Sequence, residues 1–597
     1  MRNQQVTPKP GFIVCVCATL GLFLLSGGIG TMALADEAIP EGFKKGELAP
    51  EPPADVIEAG KRVYFTKCVW CHGVDGAGDG PGADRLWPRP RNFNQGTFKI
   101  RHTASGELPL YNYNERSPDS GKNDLLDTVT HGLPGSAMPP WEGILTEEQR
   151  VQVLAFVTTQ LVKDRKFNDK ATETQTILQL SSLNPVAQTE ESIKKGAELV
   201  VEKKCIECHG VDGRGDGNAF NLKDDWGFSI QPADWHKCWN FRGTRQDPYN
   251  VRNIFRTFST GLNGTPMPSF ADNTTVEERW HIANFVGSLC ERDVDGKTPL
   301  PIDPLTDKPK VNFVIPSAPI EGEISDDPAN EMWQKQGRRI VAMGGQITHK
   351  PRNFVNRIDD IWVKSLYNEK NVVYLLQWDD RTKSVAEGKL KWAPIQVNVE
   401  NFGVKEQAPK TGEEGSIASA QNNYAVYHDA IGMQWPIKWQ EIPAPFKPRY
   451  LWGDARFNAD IVKWEADGSL RSFRGTGWDQ DFEERDDFEE RMKLMKAEWK
   501  NGQWTVMISR PLGVKKDDYD EYTLFDVGQY IPTVFYAWDG HNGDAGRKMA
   551  VSAFYYTILQ PPVPREVYIY PALIAFGVVI LEGWVLTRRA NKKKGKG

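Results

Sequence analysis

Residues 68–80 read Cys-Val-Trp-Cys-His-Gly-Val-Asp-Gly-Ala-Gly-Asp-Gly, and residues 205–217 repeat the pattern as Cys-Ile-Glu-Cys-His-Gly-Val-Asp-Gly-Arg-Gly-Asp-Gly. Both contain C-x-x-C-H, in which two thiols three positions apart can form thioethers to both vinyl groups of one porphyrin, and the adjacent histidine can ligate the iron. A chain with eight cysteines rarely produces this motif twice by chance, so the repeat predicts two covalent haem c groups. The predicted thioether donors are Cys68, Cys71, Cys205 and Cys208, and the predicted iron ligands are His72 and His209.

A methionine in a proline-flanked loop follows each motif at a similar distance. Met138 lies in the loop 132–139, and Met267 lies in the loop 261–268. A methionine is more often core filler than a ligand, but the repeated position favours iron ligation in both copies. Thioether ligation raises the reduction potential and closes the iron to outside ligands, so these haems are expected to pass electrons. Each loop precedes a predicted helix, at Thr146–Leu161 and Thr275–Leu289.

Redox dithiols and zinc sites are the alternatives to haem attachment. Both also use C-x-x-C, but neither needs the histidine that follows directly in both copies. Four other histidines in the region of the two repeats are predicted to be surface or hydrogen-bonded residues rather than ligands: His102, His131, His236 and His281.

With these motifs, residues 50–163 and 190–292 resemble two tandem class I c-type cytochrome domains, which are mostly helical. The shared stretches Pro90–Phe93 and Pro232–Trp235 lie between the haem and methionine motifs in both copies and strengthen the duplication. Two further thiols, Cys238 and Cys290, lie in the second copy. In an oxidising compartment they can form a disulfide, and the alternative is two unpaired thiols.

A different pattern begins after the proline-rich linker from Pro299 to Pro319. Residues 321–560 contain β-type runs such as Val372–Trp378 and Trp504–Ile508, separated by Asp/Gly turns, which predicts a β-sandwich. The region contains no G-x-S-x-G, H-E-x-x-H or phosphate-loop motif.

Short stretches of this region resemble the haem b-binding domain of the gamma subunits of ethylbenzene dehydrogenase and dimethyl sulfide dehydrogenase. In that family a methionine and a lysine ligate the haem iron. The resemblance places Lys548 at the lysine but Trp452, which cannot ligate iron, at the methionine. It implies either a third haem with a displaced second ligand, such as Met433, Met343 or His428, or a docking scaffold without haem b. The matching stretches are 376–380, 428–436, 450–454, 537–540 and 548–552.

Both ends of the chain carry membrane-related patterns. Residues 1–35 combine a basic start, an apolar run and Ala33-Leu34-Ala35, which is typical of a secretory signal peptide, with an uncleaved anchor as the alternative. Residues 567–586 contain one charged residue and are long enough for a transmembrane helix. The basic tail, residues 587–597, is expected on the cytoplasmic side. The bulk is therefore expected on the periplasmic side of the cell membrane, with a single pass.

The composition excludes several classes of protein. With 40% hydrophobic and 25% charged residues, neither a polytopic membrane protein nor low-complexity disorder is expected, and the length allows two to four domains. The net charge is −6 although basic residues cluster at both ends, so the body between them is acidic. An acidic body argues against nucleic acid as a partner.

These patterns predict a multidomain protein: two all-α cytochrome c domains, an all-β sandwich and one C-terminal transmembrane helix. By family resemblance, it would be a non-catalytic subunit that transfers electrons between a molybdenum/iron–sulfur oxidoreductase, of the nitrite oxidoreductase kind, and a soluble cytochrome or terminal oxidase. A dihaem peroxidase is one alternative, which the paired methionine loops disfavour. The other is a dihaem cytochrome whose β domain binds a substrate or partner.

Overall fold

The two C-x-x-C-H repeats fold into two helical domains of the same design. In each, a long N-terminal helix leads into a short helix that carries the motif, and two more helices follow. The helices of the first domain are α1 (Ala54–Lys67), α2 (Val69–His72), α3 (Asp124–His131) and α4 (Glu147–Phe156), which continues as a π-helical turn (Val157–Leu161). Those of the second are α5 (Glu190–Glu202), α6 (Ile206–His209), α7 (Val251–Thr260) and α8 (Val276–Leu289).

This computed structural model describes most of the chain beyond residue 38, and residues 40–597 form one unit. The predicted signal peptide, residues 1–35, lies outside the described residues. The described ranges are 39–46, 50–118, 121–167, 175–217, 222–241, 249–292, 300, 302–303, 308–309, 312–385, 427–438, 451–454, 456–477, 483–485, 492–512, 522–562 and 566–594.

The first and last helices of each cytochrome domain cross at a glycine. A Cβ atom added at Gly60 in α1 would overlap the carbonyl oxygen of Gln152 in α4, and one added at Gly196 in α5 would overlap that of His281 in α8. Only glycine allows such a close approach of two helix backbones. The last helices begin where the sequence predicts, because Thr146 and Thr275 each form a capping box.

The helical domains also contain short strands, so the all-α description is incomplete. The pair β1 and β2 joins the region before α1 to the segment that leads into the second domain. The disulfide predicted as one alternative is present, since Cys238 and Cys290 are bonded. The short strands are β1 (Phe43–Lys45), β2 (Thr176–Leu178), β3 (Leu222–Lys223), β4 (Ser229–Ile230), β5 (Ile302–Asp303) and β6 (Lys308–Pro309).

The third region is built from strands, with one short helix, α9 (Glu331–Lys335). The sheet order is β14-β13-β12-β11-β17-β18-β8-β9-β10-β16-β15, and β19 and β7 form a second connection from β17 to β9. Among the named strands of the described ranges, the pairs of β7 with β19 and β9 are parallel and the others are antiparallel. The strands are β7 (Val314–Pro319), β8 (Arg339–Gly345), β9 (Asp360–Tyr367), β10 (Asn371–Asp379), β11 (Ala430–Pro436), β12 (Ala459–Glu465), β13 (Leu470–Gly475), β14 (Glu483–Glu484), β15 (Lys493–Lys500), β16 (Gln503–Pro511), β17 (Tyr530–Trp538), β18 (Ala550–Ser552) and β19 (Tyr555–Leu559).

Large aromatic side chains fill the core between the two halves of this sheet. Trp378 of β10 pairs in register with Trp504 of β16, and both rings contact Trp464 of β12 across the core. The alternate side chains along β10 point to the opposite face of the sheet and pack with Trp333 of α9. Both faces of β10 are therefore buried, which explains its uninterrupted apolar run. The predicted β-rich region is therefore present as a large, mostly antiparallel sheet.

The β domain begins earlier than predicted. Strand β7 lies in the segment 299–319, which was predicted to be a linker because of its prolines. Its alternating residues are buried, with Ile315 fully enclosed in the core, and Pro316 lies opposite Ile558 of β19. Period-two burial thus outweighs the proline content here.

The last helix, α10 (Glu566–Lys594), is longer than the predicted span 567–586 because it continues into the basic tail. Its segment Ile569–Arg588 is long and apolar enough to cross a membrane, and none of it is buried against the rest of the protein.

The disulfide should stabilise the second cytochrome domain. Replacing both Cys238 and Cys290 by serine should cost about 2–4 kcal/mol, since the bond closes a loop with a sequence separation of 52. Calorimetry of the haem-loaded protein, with and without reductant, checks this. Reductant should lower the melting temperature of the wild type but not that of the double variant. Equal melting temperatures for the two oxidised proteins would contradict the prediction.

Candidate haem sites

The first repeat holds its histidine between a backbone carbonyl and an aromatic ring. The Nδ1 atom of His72 lies 3.1 Å from the carbonyl oxygen of Arg91. The ring of Phe93 stacks on the imidazole, with 4.4 Å between centroids. Burial lowers the pKa of His72 to about 4, so the imidazole is neutral at pH 7. Because Nδ1 donates to the carbonyl, Nε2 keeps the lone pair that an iron ligand needs.

The second repeat reproduces this arrangement. The Nδ1 atom of His209 lies 2.9 Å from the carbonyl oxygen of Ala233, and the ring of Trp235 stacks on the imidazole with 4.4 Å between centroids. Burial again lowers the pKa of the histidine to about 4. Both contacts come from the stretches Pro90–Phe93 and Pro232–Trp235. From sequence, these stretches indicate only the duplication. The carbonyl acceptors of Arg91 and Ala233 cannot be predicted, because every residue has a backbone carbonyl.

One cavity collects the predicted site residues of the first domain. It has an empty volume of about 1350 Å³ counting its open mouth, and its lining is mostly apolar. Cys68, Cys71, His72 and Met138 all line it. Two thiols, a neutral imidazole and a thioether around one apolar space fit a covalently attached haem, so the donor set and the cavity agree.

The two methionine loops have the same internal hydrogen bonds. The backbone N–H of Leu133 donates to the carbonyl of Met138 (3.0 Å), and that of Leu262 donates to the carbonyl of Met267 (3.1 Å). Each loop starts at a glycine with positive φ, 71° at Gly132 and 68° at Gly261. The sequence-predicted Met267 packs against the core of its own domain, half-buried as Met138 is.

The cysteines do not have the properties of a redox dithiol. Burial raises the pKa of Cys68 to about 12 and that of Cys205 to about 11, whereas reactive C-x-x-C thiols have lowered pKa values. Burial also raises the pKa of Cys71 and Cys208. Within the described ranges, no residue of either motif belongs to a group of three or more side chains placed to share one metal ion.

The four other histidines of the repeat region are hydrogen-bonded, which is one of the two predicted alternatives. His102, His131 and His281 are also buried. A partner inside the fold satisfies each polar ring, which makes burial possible. The partners are the carboxylate of Asp124 for His102 (2.6 Å), the carboxylate of Asp127 for His131 (2.9 Å), the hydroxyl of Ser192 for His281 (2.8 Å) and the carbonyl of Asp212 for His236 (2.8 Å).

The resemblance-based ligand Lys548 has other partners in the β domain. Its Nζ atom lies 2.9 Å from a carboxylate oxygen of Asp544 and 2.5 Å from the carbonyl oxygen of Asn542, and the residue is buried. Trp452, at the family's methionine position, fills its own space: it is buried, its ring packs on Tyr536, and its φ of 59° is unusual for a bulky residue.

The alternative second ligands are also enclosed. Met343 and Met433 are packed in the main core of the sandwich, and buried His428 lies 3.8 Å from Asp467. The residues present in the described part of the β domain therefore do not fit a haem b ligated by Lys548 and one of these side chains.

Buried charges join the second cytochrome domain to the β domain. The ammonium group of Lys237 lies 2.9 Å from a carboxylate oxygen of Asp360, and the guanidinium of Arg214 lies 3.0 Å from one of Asp379. Burial acts to raise the pKa of Asp379, but Lys237 and then Arg214 outweigh it and hold the value at about 2. The turn between β15 and β16 adds a hydrogen bond from Asn501 to Asp212, 2.8 Å long. The segment after His209 thus lies against the β domain.

Three buried carboxylates meet elsewhere in the β domain. Oxygen atoms of Asp380, Asp429 and Asp539 lie within 4.8 Å of one another. Burial, then the charges of Asp429 and Asp539, raise the pKa of Asp380 well above its usual range. Burial, then Asp539, raises that of Asp429 to about 8. At neutral pH the cluster therefore holds protons that the unfolded chain releases.

Similarity to known proteins agrees with the cytochrome part of this description. Residues 57–160 and 193–289 match the cytochrome c family, so the chain contains two cytochrome c domains, as predicted. A Haloferax mediterranei protein described as a respiratory nitrate reductase heme subunit is 20% identical over 281 residues, covering 46% of this chain and 85% of that protein. Cytochrome c of Sesamum indicum is 28% identical over 116 residues, covering 18% of this chain and 90% of that protein.

Among solved structures, a chain of the Kuenenia stuttgartiensis reducing HAO-like protein complex is 38% identical. It covers 40% of this chain and 100% of that chain, with a TM-score of 0.34. The similarity of residues 321–560 to the gamma-subunit family stays a prediction.

Removing one methionine should alter one haem. Met138→Ala should lower the potential of the haem in the first domain and open its iron to added imidazole, because thioether ligation raises the potential and fills the sixth position. Spectroelectrochemical titration and imidazole binding measure both effects, with Met495→Ala as the control. Unchanged potentials and no imidazole binding in Met138→Ala would contradict this role.

The carboxylate cluster predicts a pH dependence of stability. Because the pKa of Asp380 is raised in the folded state, the unfolded chain loses this proton first as the pH rises above about 4, and stability falls until the folded pKa is reached. Asp380→Asn should therefore raise the melting temperature at pH 8 by a few degrees and change it little near pH 4. The exposed Asp326→Asn serves as the control. Parallel profiles for Asp380→Asn and wild type would disprove this.

Proposed function

We propose that this protein is a membrane-anchored dihaem cytochrome that carries electrons between a molybdenum/iron–sulfur oxidoreductase and a respiratory acceptor. One observation carries the proposal. In both repeats, a neutral imidazole is fixed by a backbone carbonyl and a stacked ring, in a domain that also presents a methionine in a glycine-hinged loop. Such a domain exchanges electrons and does not need to bind a substrate.

The chain's own residues hold and insulate each site. When bound, haem c supplies one-electron chemistry at its iron. Cys68 and Cys71, like Cys205 and Cys208, would hold the porphyrin through thioethers. His72 and Met138 would ligate the iron in the first domain, and His209 and Met267 would ligate the iron in the second. A peroxidase needs an open position on one iron, so two filled sites favour electron transfer over the peroxidase alternative.

The partner is inferred from the relatives and from the β domain. The Haloferax protein is described as a haem subunit of a respiratory nitrate reductase, which supports a role as a subunit beside an oxidoreductase. Lys548 is bonded to Asp544 and Asn542, so it is not placed to ligate a haem b iron. We therefore assign to the β domain the remaining alternative, which is docking of a partner. No electron-transfer step is assigned to haem b.

Membrane anchoring is assigned to α10. Its apolar segment Ile569–Arg588 is exposed along its length, and the basic residues follow directly. The positive-inside tendency would keep this tail in the cytoplasm and the haem domains in the periplasm. A signal peptide at residues 1–35 would serve the same orientation.

Counting the haems tests the proposal. Pyridine haemochrome analysis of the purified protein should find two covalent haems and no stoichiometric extractable haem. The reduced protein should not turn over added peroxide. One extractable haem per chain that disappears in Lys548→Ala would restore haem b. Fewer than two covalent haems in the wild type would overturn the dihaem proposal.

Metal analysis of the native assembly tests the partner. Gentle detergent extraction followed by purification through this chain should yield molybdenum and non-haem iron together with haem. A chain truncated before residue 566 should no longer be found in the membrane fraction. The complex purified through it should still contain molybdenum and non-haem iron. A preparation free of molybdenum would contradict the proposed partner.

A further inference from the structure

Residues of the first cytochrome domain hold the methionine loop of the second. The guanidinium of Arg101 donates to the carbonyl of Gly261 (3.2 Å), at the start of the loop. The side chain of Asn263, inside the loop, accepts from the N–H of Gly106 (3.0 Å) and donates to the carbonyl of Glu107 (3.2 Å). The position of the Met267 loop therefore depends on the neighbouring domain.

Arg91 belongs to both predicted haem sites. Its carbonyl oxygen accepts from His72, and the residue lines the first haem cavity. Its guanidinium lies 4.3 Å from the ring centroid of Trp226 in the second domain. A Cβ atom added at Gly264, within the Met267 loop, would lie 2.9 Å from a terminal nitrogen of Arg91.

Trp226 completes the contact on the side of the second domain. Its ring would lie 2.8 Å from the same added Cβ at Gly264, so it packs directly on the loop. Its indole Nε1 atom is buried and has no hydrogen-bond partner among the described residues. A buried indole N–H usually donates to an acceptor, and a carboxylate of a bound haem would be an acceptor of the required kind for Trp226 and Arg91.

The duplication makes this contact asymmetric. The position that corresponds to Arg91 in the second repeat is Ala233, which provides the same carbonyl but no cationic side chain. The equivalent loop glycine of the first domain, Gly135, packs on the backbone of Asn240 instead. Arg91 therefore combines the carbonyl acceptor with a contact to the other domain's methionine loop, whereas Ala233 offers the carbonyl alone.

We infer that Arg91 and Trp226 form the bridge that couples the two haem sites, as positioning residues for electron exchange between them; this rests on the proposed function. With haem c bound at both sites, one iron would be oxidised from ferrous to ferric as the other is reduced, and no bond would break. The bridge fixes the ligand His72 on one side and the Met267 loop on the other. The bridge thereby sets both the separation between the two haem sites and the strength with which Met267 would ligate the second iron.

Trp226→Leu and Arg91→Gln in the full-length, haem-loaded protein test the bridge. After photoreduction of one haem, the rate of exchange between the haems should fall about tenfold in each variant. The potential of the second haem should also drop, because a loosened Met267 loop ligates more weakly. Phe228→Leu is the matched control, since Phe228 pairs with Arg89 across the same interface (4.5 Å).

The outcomes separate the two proposals. Two covalent haems with wild-type exchange rates and potentials in both variants would overturn the bridge and leave the dihaem cytochrome standing. Absence of the haems from the wild type would overturn the proposed function itself. Trp226→Phe keeps the packing if Trp226→Leu does not fold, and the slowed exchange should persist in it because the indole N–H is lost.

Discussion

The hydrogen bond from a histidine ring to a backbone carbonyl is the contact on which each cytochrome domain depends. It selects the tautomer that leaves Nε2 available, and it ties the motif helix to the segment that carries the stacked aromatic ring. Buried imidazoles are expensive to charge, and a neutral carbonyl acceptor fixes the ring without adding a second buried charge. The helix crossing at Gly60 and Gly196 brings the last helix close enough to enclose the site.

The sequence predicted the parts of the structure whose chemistry lies in spaced side chains. The C-x-x-C-H motifs, the methionine loops and the helices that follow those loops belong to this group, because each has a short and repeated signature. The carbonyls of Arg91 and Ala233 could not be predicted, because any residue offers the same acceptor. Strand β7 was not predicted because its prolines are more typical of a linker. The partners of Lys548 could not be predicted either, because they depend on the folded arrangement of the chain.

The interface between the second cytochrome domain and the β domain is polar and buried. Lys237, Asp360 and Asp379 are desolvated there, and such ions contribute little net stability unless all partners are present. Their value lies in specificity, because a mispacked interface would leave an unpaired charge in the interior. The same logic explains why the domains form one unit rather than separate modules.

The bond between Cys238 and Cys290 has a consequence for biogenesis. It can form only where thiols are oxidised, and the four motif cysteines pass through that compartment as well. All of the about 15 complete pairings of these six thiols would consume the motif cysteines, so the productive state has the single bond between Cys238 and Cys290 and leaves the four motif thiols unpaired. Attachment of the cofactor must therefore outrun oxidation, or a reductant must reopen wrong bonds. Maturation of this chain is a kinetic competition, and its yield depends on the redox balance of the compartment that receives it.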